Sequence, residues 1–466
     1  MKISLIFAPS ELNRNFSECR TREKHMGHVP PSSLLSVAAI LEREGVEVQL
    51  IDMAAERLSY EETLARLRAF APALLGFTLT TYGFHSVMKW IRRFKADTGL
   101  PTIAGGAHAI IYPDETMTHP EIDYLVLGEA DRPLPEFIKR LKSGGDLEGI
   151  KSFAYRKNGR VVVDRTVDMI EDIDDAPFPA VHLIKNALYG NILSQRRNYT
   201  ALMSSRGCPY RCSFCDQKKV RYRMRSPRSL VDEVRRNYHR FGIRDFDIWD
   251  STFTANAKRV MEICDLLVQE AMDINWRIRA RVDSVNEPML EALKKAGCET
   301  VLYGIESSNH DILKRMKKDI TPERVEHIIG YTKKVGMQTL GYFMFGYPGE
   351  TRTTMEETVK FALRLPLDYV QLTVLVPFPD TEIYDYYRDK GLGDYWSKFT
   401  LDLDLDEEIE LIETELSRAQ TVASVSAAYR RFFFRPSIIA KRLLNIRSFS
   451  QFRRLFAGAL GLARAE

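Results

Sequence analysis

Ser205-Arg206-Gly207-Cys208-Pro209-Tyr210-Arg211-Cys212-Ser213-Phe214-Cys215 carries three thiols at C-x3-C-x2-C spacing, directly after the apolar, strand-like run Tyr199-Thr200-Ala201-Leu202-Met203. Three thiolates this close can hold three corners of a cubane 4Fe–4S cluster, whereas four would saturate it. One iron is then left open to a ligand that reacts. A structural zinc site wants four closed ligands, and no further Cys or His lies within a turn of the loop. A disulfide reading is not expected either, because the chain has six cysteines in 466 residues and its first apolar run reads as a β-strand rather than a secretory segment. The alternative, three unrelated core thiols, is disfavoured by the tight spacing.

Cys208, Cys212 and Cys215, with aromatic Phe214 just before the last of them, resemble the signature of radical S-adenosylmethionine (SAM) enzymes. The resemblance implies that the open iron chelates the amino and carboxylate groups of SAM. It also implies that an electron from the cluster splits the sulfonium into methionine and a 5′-deoxyadenosyl radical. Few side chains can abstract hydrogen from an unactivated carbon, so a cofactor carries the hard step and the protein positions it. An electron donor such as flavodoxin or ferredoxin is implied as a partner.

Upstream of the loop, residues 1–145 alternate strand and helix patterns. Strand-like runs are 2–8, 47–53, 74–80, 101–107 and 123–128, and helical runs between them end at Gly45 and Gly99. This alternation predicts a parallel, doubly wound, flavodoxin-like sheet with a ligand beyond the C-terminal strand ends. Those ends offer Thr78 and Thr80 after the third strand, Gly105, Gly106 and His108 after the fourth, and Gly128 and Glu129 after the fifth. Two glycines without Cβ atoms permit a close backbone approach to a ligand, or simply make a turn. Placed before a radical SAM loop, the layout resembles the cobalamin-binding domain of that family. The resemblance assigns those residues to the channel for the nucleotide tail of cobalamin. The family's Asp-x-His-x-x-Gly loop is absent after the first strand, where residues 10–30 carry Cys19, His25 and His28 instead. The lower cobalt ligand is thus unassigned, with His108 a candidate by position.

Residues 146–195 read as a linker with a hairpin, since Asn158-Gly159 separates two alternating runs. Residues 196–395 form a second strand–helix series, with strands at 199–203, 246–249, 276–281, 300–303, 338–345 and 369–375. Six strands match the partial (β/α)6 barrel of radical SAM enzymes, whose chemistry sits at the C-terminal strand ends. By resemblance, Asp250 holds the SAM amino group, Arg281 pairs with the methionine carboxylate, Glu306 binds the ribose and Gly346 backs the adenine. Helix caps for the two carboxylates and a surface charge for Arg281 are the plain alternatives. Cys264 reads as a core thiol, and Cys298 has no evident partner.

Residues 396–466 form a helical extension, acidic over 402–415 and basic with interleaved phenylalanines over 430–464. The expectation is a helix closing the open side of the barrel. Peripheral contact with an anionic membrane is the alternative. A net charge of +4 makes no case for nucleic acid. No run approaches the roughly 20 apolar residues needed to span a bilayer, and the expectation is a cytoplasmic protein. The combined reading is a cobalamin-dependent radical SAM methyltransferase that acts on an unactivated carbon of a small-molecule, lipid or tetrapyrrole substrate. Alternatives are a cyclase or rearrangement enzyme without net methylation, a methylthiotransferase, and a non-catalytic cobalamin or iron–sulfur sensor.

Overall fold

The computed structural model describes residues 1–10, 15, 27–190, 193, 194, 196, 198–436, 438 and 439. Cys19 and His25, and the basic tail past residue 439, lie outside the described residues. The chain divides into two compact units. The first contains residues 1–10, His28–Tyr189 and Leu392–Glu407, and the second contains the described residues of Gly190–Gly391 and those from Glu408 onward, with Asn15.

The first unit is a seven-stranded sheet of β1 (Lys2–Phe7), β2 (Glu47–Asp52), β3 (Leu74–Thr78), β4 (Thr102–Gly105), β5 (Tyr124–Val126), β6 (Phe153–Lys157) and β7 (Arg160–Asp164). Its strand order is β2-β1-β3-β4-β5-β6-β7. β1 to β5 run parallel in flavodoxin order, as the sequence predicts. Their near-continuous apolar character follows from helices on both faces. Helix Phe84–Thr98 buries Phe84, Val87, Met88, Ile91 and Phe94 at one-turn spacing and stops at Gly99, whose φ is 64°. Each such burial stabilises the fold on the order of 2 kcal/mol. The hairpin is not a linker: β6 pairs antiparallel with β5 and β7 with β6, so both strands extend the first sheet. Asn158 (φ 51°) and Gly159 (φ 76°) adopt the left-handed pair that a two-residue hairpin turn needs.

The helical extension is also divided. Helix Tyr395–Leu401 packs on helices Ala107–Ile111 and Pro113–Thr118 of the first unit. Tyr112 donates its hydroxyl to Asp394 (2.9 Å), and Ser397 donates to Glu115 (2.8 Å).

In the second unit β8 (Tyr199–Leu202), β11 (Asp245–Ile248), β12 (Asn275–Arg281), β13 (Cys298–Glu306), β14 (Gln338–Phe345) and β15 (Tyr369–Val374) form an all-parallel sheet in the order β15-β14-β13-β12-β11-β8. A short antiparallel ribbon of β9 (Ser205–Arg206) and β10 (Arg223–Met224) stands apart from it. Cys264 and Cys298 are buried core thiols. Helix Arg418–Phe433 covers the β15 edge, where the Tyr429 hydroxyl accepts from Leu372 N (2.6 Å) and donates to Leu372 O (3.0 Å). A sheet edge capped this way offers no template to another chain.

Candidate active site

The cysteine loop leaves β8 and is closed at its base by the β9–β10 ribbon. Gly207 has a φ of 73°, and a Cβ there would run into the carbonyl oxygens of Val220 and Arg221. Glycine is therefore required where the loop doubles back on itself. Asp250, just past β11, is 1% exposed and accepts from Ser204 N (2.7 Å), Ser204 Oγ (2.6 Å) and Ser205 N (2.9 Å). Burial pushes its carboxyl above the usual carboxylate range, and the two serines hold it back. With Oδ1 and Oδ2 both bonded to Ser204 or Ser205, Asp250 braces the start of the cysteine loop.

Cys208, Cys212 and Cys215 are free, half-buried thiols. Burial raises Cys212 and pushes Cys215 to about 12, and each feels the other thiols nearby. Among the described residues no three His, Cys, Asp or Glu side chains are grouped to hold a single metal ion. Two cations oppose the effect of burial at Cys212, namely Lys318 and Arg281. Arg281 donates from Nη1 to Cys212 Sγ (3.4 Å) and lies 4.1 Å over the Tyr210 ring. Its other nitrogens form a fork onto Asp283, with Nε at 2.9 Å and Nη2 at 2.7 Å. The fork that could take a methionine carboxylate is thus already filled by Asp283.

Glu306 ends β13 at a φ of 67°, beyond a register shift against β14 that begins at Gly304. Such a bulge re-aims one side chain. Glu306 Oε1 accepts from Lys318 Nζ (2.7 Å), and Lys318 is 4% exposed. A Cβ at Gly304 would lie 2.7 Å from that oxygen and 2.8 Å from the ammonium, so Gly304 makes room for the pair. Across the sheet, Gly346 follows β14 at a φ of 84° and donates its N–H to Glu350 Oε2. Burial raises the Glu350 carboxyl to about 7, offset in part by that N–H. Its Oε1 is buried with no hydrogen-bond partner among the described residues. Ser213, inside the cysteine loop, bonds the Tyr347 hydroxyl (2.7 Å) and ties this segment to the loop. Phe214 is half-buried. Met203 and Trp249, at the C-terminal ends of β8 and β11, are large apolar side chains left 50% and 37% exposed.

In the first unit Thr78, Thr80, Gly105, Gly106, Gly128 and Glu129 gather at the C-terminal ends of the adjacent strands β3, β4 and β5. Gly106 has a φ of 117°, and a Cβ there would press on the Leu79 backbone and Thr78 Oγ1. This glycine therefore lets two strand ends approach one another. His108 departs from expectation. It is fully buried, with Nδ1 3.2 Å from Thr81 Oγ1 and Nε2 2.8 Å from Thr400 Oγ1. Burial, with His85 nearby, lowers its pKa to about 3. A neutral ring with both nitrogens engaged offers none to cobalt, so the His108 assignment fails.

A family model described as the radical SAM superfamily matches residues 202–362, and one described as the B12 binding domain matches residues 23–138. An uncharacterised methyltransferase, PH0819 of Pyrococcus horikoshii, is 31% identical over 96% of both chains. The chain belongs to the cobalamin-dependent radical SAM enzymes. An anaerobic magnesium-protoporphyrin IX monomethyl ester cyclase of Rubrivivax gelatinosus is 26% identical over 89% of this chain and 75% of its own. In fold, the chain is similar to the radical SAM methyltransferase TsrM of Kitasatospora setae, solved with cobalamin and a 4Fe–4S cluster. The TM-score is 0.67 at 20% identity, covering 84% of this chain and 75% of that one.

As a cobalamin-dependent radical SAM enzyme, the protein uses an iron–sulfur cluster, SAM and cobalamin. The residues present fit the first of these, because three free thiols stand on a braced loop with two cations beside Cys212. No helix of the described residues is long and apolar enough to cross a membrane. Sequence reasoning missed Lys318, Asp283, Tyr210, Ser213 and Glu350. Lys318 sits in Lys314-Arg315-Met316-Lys317-Lys318, where nothing distinguishes a buried ammonium from a solvated one. Glu350 did carry a signal, ending the Gly346-Tyr347-Pro348-Gly349-Glu350 turn.

Proposed function

We propose that this enzyme is a methyltransferase that delivers a methyl group from cobalamin to an unactivated carbon of a small molecule with apolar surface. The observation that carries the reading is the 31% identity to a methyltransferase over 96% of both chains. When bound, the cofactors supply a carbon-centred radical from SAM and a transferable methyl on cobalt.

The chain's own residues have separate tasks. Cys208, Cys212 and Cys215 would hold the cluster, and Arg281 and Lys318 would offset the negative charge of its thiolates and sulfides. Glu306 would accept from ribose hydroxyls through Oε2, since Oε1 is held by Lys318. The Gly346 turn would support the adenine, fixed by Glu350. Thr78, Thr80, Gly105, Gly106, Gly128 and Glu129 would line the nucleotide tail of cobalamin. Exposed Met203 and Trp249 at the barrel mouth favour a substrate with an apolar face.

The identity to the cyclase supports a second reading, radical cyclisation without net methylation. Anaerobic incubation of reconstituted protein with SAM, hydroxocobalamin and a strong reductant separates them. S-adenosylhomocysteine together with 5′-deoxyadenosine is the expected result. Deoxyadenosine alone favours the cyclase reading, and neither product from cluster-loaded protein rules out both.

A further inference from the structure

β7 is the outermost strand of the first sheet and nothing in the described structure follows it. Its residues Arg160-Val161-Val162-Val163-Asp164 include two consecutive exposed valines, Val161 at 40% and Val162 at 36%. Adjacent residues on a strand point to opposite faces, so neither face of β7 is fully covered. At the opposite edge β2 differs, with every residue after Glu47 buried or half-buried. Protected edges usually carry lysine, proline, a bulge or a covering helix. β7 has no lysine, proline or bulge within its apolar centre, and the helix Pro113–Thr118 that packs on it leaves Val161 and Val162 exposed.

The pairing register shows which backbone groups are free. Lys157 pairs with Arg160 across the two-residue turn, Tyr155 with Val162 and Phe153 with Asp164. A two-residue turn makes its flanking residues a hydrogen-bonded pair, and bonding then alternates along the ladder. Arg160, Val162 and Asp164 therefore bond to β6. The N–H and C=O of Val161 and Val163 point to the open edge.

We propose that β7 pairs antiparallel with β7 of a second copy of this chain, about a two-fold axis through Val162. In that register Val161 faces Val163 of the other copy, and their four outward N–H and four outward C=O groups are brought into reach in two hydrogen-bonded pairs. Val162 meets its own counterpart in the closer, non-bonded pair. Arg160 lies opposite the other copy's Asp164 at both ends. Asp164 gives Oδ1 to Thr166 N (2.8 Å), which leaves Oδ2 for the guanidinium. The residues flanking the valines are thus self-complementary in charge only for this antiparallel, centred register. A parallel or shifted pairing loses one or both ion pairs.

Sedimentation velocity on the full-length, cluster-reconstituted protein over a concentration series tests this. A concentration-dependent dimer is expected. Val162→Lys places two ammoniums face to face at the axis and should raise the dissociation midpoint about tenfold or more. Arg160→Asp makes both ends of β7 acidic and Asp164→Arg makes both basic, so each variant alone should be monomeric. Mixing those two variants in equal amounts should restore the dimer, which also shows that both are folded. Wild-type protein that stays monomeric throughout, a dimer indifferent to Val162→Lys, or a mixture that does not reassociate overturns the proposal.

Discussion

At the scale of single residues, the candidate site is a set of charges held in place by one another. Glu306 is pinned by buried Lys318, Arg281 by Asp283, and Asp250 by two serines. Glu306→Gln keeps an oxygen for Lys318 but loses the negative charge, and calorimetry on cluster-loaded protein should show SAM affinity falling roughly tenfold. Lys318→Met leaves Glu306 buried without its partner, and thermal unfolding should report a loss of about 3 kcal/mol. Glu350 gives a pH signature. Its folded pKa is about 7 against an ordinary 4.5, mainly from burial. The native state then binds more protons than the unfolded state between those values, so stability falls as pH rises from 4.5 to 7. Glu350→Gln should remove that slope, up to about 3 kcal/mol, in melts compared at pH 5 and pH 8. The cysteines could be singled out because their spacing is a local pattern. The partners of Asp250 and Glu306 could not, since Ser204 and Lys318 lie far from them in sequence and such contacts leave no local pattern.

At the scale of elements, strands and helices could be read from periodicity, and the parallel part of each sheet follows from it. The ends could not: β13 runs from Cys298 to Glu306, well beyond the 300–303 reading, because its last residues continue through a bulge. Likewise Asn158-Gly159 announced a hairpin, yet only the pairing of β6 with β5 shows that it completes a sheet. The most constrained element is the cysteine loop, where Gly207 lies against the Val220 and Arg221 carbonyls. Gly207→Ala must open that contact in a backbone region that alanine avoids. Reconstituted protein should bind well under half the wild-type iron, measured together with the cluster's visible absorbance, while far-ultraviolet dichroism stays near wild type.

At the scale of the whole molecule, the division into two units follows the two strand–helix series, but the place of the hairpin and the path of the C-terminal region were hidden. Nothing in the composition of 392–407 says that it returns to the first unit. It does so through histidines: His85 Nε2 lies 2.6 Å from Phe399 O, His108 is bonded to Thr400 Oγ1, and His119 Nε2 lies 2.7 Å from Thr400 O. His108 is held neutral down to about pH 3 by burial, so the unfolded chain takes up a proton first as pH falls below 6.5. Stability should therefore drop with acid by up to about 1.4 kcal/mol per pH unit from this group. His108→Gln should flatten that dependence between pH 6.5 and pH 4 in denaturant titrations.

That return path has a consequence for biosynthesis. A chain leaves the ribosome N-terminus first, and domains generally fold as units in that order. Here Phe84 and His108 have no Phe399 or Thr400 to pack against, and Tyr112 no Asp394, until more than two hundred further residues have been translated. The barrel can therefore be fully translated before the domain that precedes it is complete. A nascent chain stalled at residue 190 carries an unfinished hydrophobic face, and the last piece of the first unit to be made is the one that seals it.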